Sequence, residues 1–250
     1  MSIKWRTLIA TTVLGIFMLS IFPLKCFANN KNNEINNLIE HNNIKNNKDD
    51  ISKEQIINWI EEQGEKDRYY YGGLSYELVN LDNDSELEVV VKTEGGVHLG
   101  DFFIFDKKQD KKYHLIIEQD WKVESWNLYN PIADPPEVGY KKIFEIVTTT
   151  GGTGIDIHEV RLWYIEDGKF IQAWKGILKD RLFFLDYYSL KIGDYQFDHY
   201  THQIYAWLSS YKYKIDGFTL EKSYGTNTMT YKFDGTHFIL DTETGYIKMN

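Results

Sequence analysis

Leu162-Trp163-Tyr164-Ile165-Glu166-Asp167-Gly168-Lys169-Phe170-Ile171 sets an Asp-Gly pair between two runs of aromatic and β-branched residues. Asp-Gly supplies the positive φ angles that a two-residue type I′ turn requires, so the stretch predicts a tight β-hairpin. Asp234-Gly235 repeats the arrangement between Tyr231-Lys232-Phe233 and Phe238-Ile239-Leu240, and Asp216-Gly217 is a third turn of the same chemistry. Working outward, strands are expected near 75–80, 87–93, 101–106, 112–118, 141–149, 157–166, 169–175, 181–191, 203–214, 218–223, 228–233 and 236–241. No helical patterns alternate with them, as parallel crossovers would need, so the sheets are expected to be antiparallel. Asn130 to Gly139 holds three of the four prolines and is expected to be a surface loop.

One helix is expected. Ser52-Lys53-Glu54-Gln55 has the form of a capping box, Ile56, Trp59 and Ile60 share a helical face, and Gly64 supplies a stop. That places a helix at 52–63. The fold expected is therefore mainly β, antiparallel, built as propeller-like blades or an irregular sandwich, with one N-terminal helix. An internal echo bears on the choice. Leu87-Glu88-Val89-Val90-Val91 leads to Gly95-Gly96 and a strand at 102–105, and Phe144-Glu145-Ile146-Val147 leads to Gly151-Gly152 and a strand at 160–165. A repeat of this length suits a four-stranded blade, and ordinary meander periodicity produces it as well.

The first 28 residues have the layout of an export signal. Lys4 and Arg6 precede a 15-residue apolar run, Leu8 to Phe22, closed by Pro23, with Ala28 as a small residue before a polar stretch. The run is shorter than the ~20 residues of a spanning helix. Lys25 stands where lipoprotein signals carry a small residue, so cleavage after Ala28 is expected in preference to lipidation at Cys26. Cleavage leaves 222 residues without cysteine and, with Lys4, Arg6 and Lys25 gone, moves the formal charge from -9 to -12. Residues 29–51, with ten asparagines, are expected to form a disordered linker, and residues 52–250 a single domain. An acidic chain of pI about 5.3 is a poor nucleic-acid binder, because phosphates need a basic surface.

Asn80-Leu81-Asp82-Asn83-Asp84-Ser85-Glu86-Leu87-Glu88 sets oxygen side chains at positions 1, 3, 5 and 9 of a loop that enters an apolar strand. Calcium takes six to eight oxygens in flexible geometry, and alternate positions of a tight loop can aim side chains inward. The stretch resembles the calcium loops of FG-GAP (integrin-type) and VCBS-type propeller repeats, Asp-x-Asp-x-Asp-Gly-x-x-Asp/Glu before an Ile/Val-rich strand. The resemblance implies Asn80, Asp82, Asp84 and Glu88 as ligands of one Ca2+. Asn80 replaces the usual first Asp, and Ser85 replaces the turn glycine. An acidic hairpin turn without an ion is the other reading of the same residues.

Other candidates lack a constellation. His199 and His202 lie three apart, a spacing that faces opposite sides of a strand. His98 and His158 follow glycine pairs and are candidates for matching loop ends near a cleft. No G-x-S-x-G, H-E-x-x-H or Walker A sequence is present. Trp121 and Trp126, beside the proline loop, are the tryptophans expected to offer an exposed aromatic platform, whereas Trp163 and Trp174 in alternating strands are expected in the core. The function expected is a secreted, calcium-stabilised, non-enzymatic binding protein for a cell-envelope polysaccharide or protein ligand. A glycosidase-like hydrolase using an acidic pair, and a carbohydrate-binding module using exposed Trp, are the alternatives.

Overall fold

The computed structural model describes residues 51–82, 84–133 and 141–247, the side chains of Tyr246 and Ile247 excepted. The expected signal peptide, the linker apart from Ile51, and most of the proline loop lie outside the described residues. Residues 50–250 form a compact unit by themselves.

Among the described residues α1 (Lys53–Gln63) comes first and only strands follow: β1 (Ser75–Val79), β2 (Glu88–Lys92), β3 (Phe102–Lys107), β4 (Tyr113–Gln119), β5 (Val123–Asn127), β6 (Phe144–Gly152), β7 (Ile155–Glu166), β8 (Lys169–Phe183), β9 (Tyr187–Asp198), β10 (Gln203–Lys214), β11 (Leu220–Phe233) and β12 (Phe238–Ile247). β1 to β4 make one four-stranded sheet and β5 to β12 one eight-stranded sheet, each a meander in chain order. Every described pairing is antiparallel. The described residues are thus mainly β, with two antiparallel sheets, one short helix and no closed barrel among them. The first sheet has the strand count of a propeller blade. The second runs continuously through eight strands.

The helix begins as its sequence dictates. Ser52 Oγ accepts the Gln55 N–H at 3.2 Å, and the Gln55 side chain accepts the Ser52 N–H at 2.7 Å. Gly64 donates to the Ile60 carbonyl at 2.8 Å and ends it. Ile56 and Ile60 are buried against Val89, Val91, Phe103 and Phe105 of the first sheet, and Trp59 stacks on Tyr113 at 4.8 Å between ring centroids. Val90, Phe102 and Ile104 point the other way, against Phe144, Ile146 and Trp163 of the second sheet. β2 and β3 are covered on both faces, which is why they are nearly continuous apolar runs rather than alternating ones.

The Asp167-Gly168 turn is the expected two-residue one, with φ of 52° and 67° and Glu166 paired to Lys169. Asp234-Gly235 differs. Phe233 pairs with Phe238, so the loop has four residues, held by Asp234 Oδ1 accepting the Thr236 and His237 N–H groups at 2.8 Å each. The carboxylate builds the turn together with the backbone, where the Asp234 N–H donates to the His237 carbonyl at 2.9 Å. The expected strand at 181–191 is interrupted: β8 ends at Phe183, Phe184 donates to the Tyr187 carbonyl at 2.8 Å, and β9 begins at Tyr187. An apolar Phe184-Leu185 turn lacks the glycine or proline that punctuates a strand pattern. The expected break between 223 and 228 is a bulge inside β11, where the pairing skips Tyr224 beside Gly225 at φ 91°. β5 was not anticipated.

Candidate metal centre

The acidic loop joins β1 to β2. Val79 pairs with Glu88, so residues 80–87 close a hairpin between the two strands. Inside it, Asp82 Oδ1 accepts the Asp84 N–H at 2.8 Å and Asp84 Oδ1 accepts the Glu86 N–H at 2.8 Å. These successive side-chain-capped turns curl the loop with no glycine at position 85. Leu81 is fully buried and anchors the loop to the core shared by the two sheets, and its N–H donates to Glu88 Oε2. Asp82, Asp84 and Glu88 each bring a carboxylate oxygen into a group whose members all lie within 4.8 Å of one another. Asn83 lies outside the described residues.

Asn80 is differently engaged. Its amide nitrogen donates to the Asp84 carbonyl at 2.6 Å, and its Oδ1 accepts from the Lys142 ammonium, which also donates to the Asp82 carbonyl. A cation from the chain itself therefore holds the fourth of the expected oxygens. Lys142 comes from the segment before β6, 62 residues from Asn80.

Glu88 is the decisive side chain. It is 0% exposed, and its Oε1 is buried with no hydrogen-bond partner among the described residues. Burial, and then the charges of Asp82, Asp106 and Asp84, push its carboxyl up to about 8, against the single opposing hydrogen bond from Leu81. Burial also raises Asp82, helped by Asp84 and Asp106 and opposed by the Asp84 N–H and by Lys142.

Asp106 was not anticipated. Val89 pairs with Phe105, so the register brings Asp106 beside Glu88 on the same face of the sheet. It is 3% exposed, its Oδ1 is buried without a partner, and its Oδ2 pairs with Lys108. The signal available in the sequence was an acid at an inward position of the apolar strand Phe102-Phe103-Ile104-Phe105-Asp106. A charged group sealed from water is costly unless it is paired or holds a metal. Three converging hard oxygen donors, one sealed and unpartnered, suit a hard divalent cation, with water and loop carbonyls available to complete six to eight oxygens.

The remaining candidates have structural partners. His158 lies within β7, its ring between Glu124 at 2.7 Å and Asp156 at 2.9 Å, which ties β5 to β7. His98 lies against Gly152, and the ring of His199 meets that of Phe197 edge-on at 5.1 Å. Trp121 and Trp126 do not form an exposed platform. Both pack on the shared core, Trp121 stacked on Phe102 at 5.8 Å with the Arg161 guanidinium 4.3 Å from its ring, and Trp126 under the Lys92 ammonium at 5.2 Å. β5, which carries Trp126, is what draws this segment in. Trp163 and Trp174 are buried as expected. Trp207, 39% exposed, is the outward tryptophan among the described residues. A cavity of about 170 Å³ in the second sheet is lined by Val160, Trp174, Leu178, Leu208, Met229 and Tyr231, and Asp194 is the one carboxylate at its wall. No helix of the described residues is long and apolar enough to cross a membrane.

No protein-family pattern, curated protein or solved structure matches this chain.

Proposed function

We propose that the chain is an exported, non-enzymatic binding protein of the cell envelope or extracellular space, and that the loop at 80–88 holds one calcium ion as a structural staple. The observation that carries the calcium reading is the sealed, unpartnered Oε1 of Glu88 within the Asp82–Asp84–Glu88 group. A divalent ion there neutralises three carboxylates, ties β1 to β2, and gives the buried oxygen a partner. The ligand set is Asp82, Asp84 and Glu88, with Asn80 joining if Lys142 releases its amide oxygen. Export rests on the residue 1–28 layout, and the binding role on export together with a β architecture. The same acids suit hydrolysis poorly. A glycosidase pair must flank an accessible bond, and Glu88 is out of reach of a polymer.

The test is a thermal melt in millimolar calcium, in magnesium and in chelator. Calcium at 100 times its dissociation constant stabilises by about 2.7 kcal/mol, which for a domain of this size raises Tm by roughly 5–10 °C. Magnesium, which demands a tighter octahedron, should give much less. The Asp82→Ala/Asp84→Ala variant should melt at one temperature in all three buffers. A calcium response that survives in that variant sinks the assignment, and so does the absence of any response in the parent.

A further inference from the structure

The outer half of the second sheet is unlike the rest of the molecule. β8 and β9 pair only between 179–183 and 188–192, and β10 and β11 continue beside them to Lys214 and Leu220. Apart from Gly193, no residue in 177–203 is buried, and none in 207–227 is. Leu178, Tyr195 and Phe197 still pack on the core of the second sheet, and beyond them the strands carry two hairpin tips outward.

Those tips end together. Tyr187 pairs with Lys214 and Tyr188 with Tyr213, which sets the 184–186 turn beside the 215–219 turn. Turn positions normally hold polar residues or glycine. Here Leu185, 94% exposed, and Phe218, 90% exposed, stand beside Asp186, Asp216, Gly217 and Thr219, with Ile215 and Phe184 in the turns and Leu220 at the start of β11 also exposed. Asp216 fixes the second tip, accepting the Phe218 N–H at 2.9 Å and the Thr219 N–H at 2.8 Å. Its carboxylate is thus consumed in forming the turn that presents Phe218.

Behind the tips is a row of tyrosines with cations on their faces. The Arg181 guanidinium lies 4.7 Å from the Tyr188 ring, the Lys212 ammonium 4.6 Å from Tyr187 and the Lys222 ammonium 4.6 Å from Tyr224. At about 3.3 Å per residue along a strand, Tyr187 and Tyr188 stand within ~10 Å behind the apolar turns and Tyr224 about 15 Å behind them. The segments 179–191 and 212–222 hold six Lys and Arg against four Asp and Glu, in a chain of net charge -9, and of the six Lys179 is paired outside them with Asp156. Two of those acids are paired within the segments, Asp180 with Lys191 and Glu221 with Lys212.

We infer that the paired tips around Leu185 and Phe218 are a docking surface for a lipid bilayer that carries anionic headgroups. Apolar side chains at the end, aromatic rings with polar tips behind them and cations at the same level match, in order, the acyl boundary, the interface and the phosphate layer. The depth is that of interfacial binding rather than spanning. The apolar groups project from narrow turns, a shape that a fluid phase can surround and that offers a second rigid copy no flat or concave face to match. The inference rests on the reading of the chain as an exported binding protein, names the surface it binds, and is independent of the calcium loop.

The experiment uses the chain without residues 1–28, so that the apolar run at 8–22 takes no part; the compact unit 50–250 is retained whole. This chain has no cysteine, so Leu185→Cys takes a single polarity-sensitive fluorophore. It is mixed with vesicles of phosphatidylcholine alone and with added phosphatidylglycerol. Expected are a blue shift of the label and co-sedimentation with the anionic vesicles, weakened by salt. The unlabelled Leu185→Asp/Phe218→Asp variant, with an unchanged circular dichroism spectrum and melt, should bind at least tenfold more weakly than the parent. The inference is overturned if the parent ignores anionic vesicles, or if the double variant binds as tightly. It is also overturned if the label shifts with protein concentration alone while light scattering reports a dimer, since a second copy then covers the tips. A calcium-dependent melt alongside failed vesicle binding would leave the calcium staple standing and remove only the membrane surface.

Discussion

Glu88 is a charged residue at a position where its strand otherwise holds core side chains. Its neighbours in β2 are valines, and its oxygen Oε1 is buried with no hydrogen-bond partner among the described residues. Replacing it separates the two demands on the site. Glu88→Gln keeps the shape and removes the charge. In chelator at neutral pH this variant should melt several degrees above the parent, because the parent must keep the buried carboxyl protonated well above its ordinary titration range, a cost the amide does not carry. In calcium it should gain little. The pH dependence has a definite sign. The folded carboxyl titrates near 8 rather than near 4.5, so between those values the native state holds a proton that the unfolded state has lost. Chelated parent protein should therefore lose stability as pH rises through that window, and the chelated Gln variant should show a flatter profile. Melts from pH 5 to 8.5 check this, and a parent that gains stability over the range contradicts it. The three clustered carboxylates were legible in the loop sequence because their spacing is local. Asp106 was not, because strand register alone brings it to Glu88.

At the scale of elements, structure held by near neighbours was the part open to sequence reading. The capping box at Ser52 involves residues three apart, and the Asp167-Gly168 turn needs only two positive φ angles. Ser52→Ala removes the acceptor for the Gln55 N–H and should lower stability by about 1 kcal/mol, within 0.5–2. Urea titration should show a lower midpoint with the slope unchanged, since the exposed surface on unfolding is the same. A loss much above 2 kcal/mol would mean that Ser52 does more than cap. The turn at 184–186 escaped because its residues are Phe, Leu and Asp between long β-rich runs, where pattern continuity outweighs the missing punctuation. That same irregularity, apolar residues where a turn normally places polar ones, marks the surface inferred for membrane docking. The Asp234 turn escaped for a different reason: a carboxylate accepting two backbone N–H groups can widen a nominal two-residue turn to four.

At the scale of the molecule, the two sheets share one core. Phe102 of the first sheet meets Trp163 of the second edge-on at 6.1 Å, with Trp121 stacked beside it, and all of them belong to one apolar cluster with Leu81. The sheets should consequently unfold together. Phe102→Ala should cost about 3–5 kcal/mol and lower Tm on the order of 10 °C. Near- and far-ultraviolet circular dichroism should trace one coincident transition in parent and variant alike. Separate transitions for the two signals would mean that the sheets are independent.

The amino-acid sequence by itself determined the strand-rich antiparallel class, the capped helix and the acidic loop, because turn chemistry, capping and side-chain alternation act between residues a few positions apart. Tertiary structure alone decided which acids meet, which tryptophans are covered and which turns project. Lys142 reaches Asn80 across 62 residues, β5 draws Trp126 into the core, and two hairpins set Leu185 beside Phe218. Each of these depends on strand register and sheet packing, which are set by the summed burial of many distant side chains, so no short window of the chain contains them.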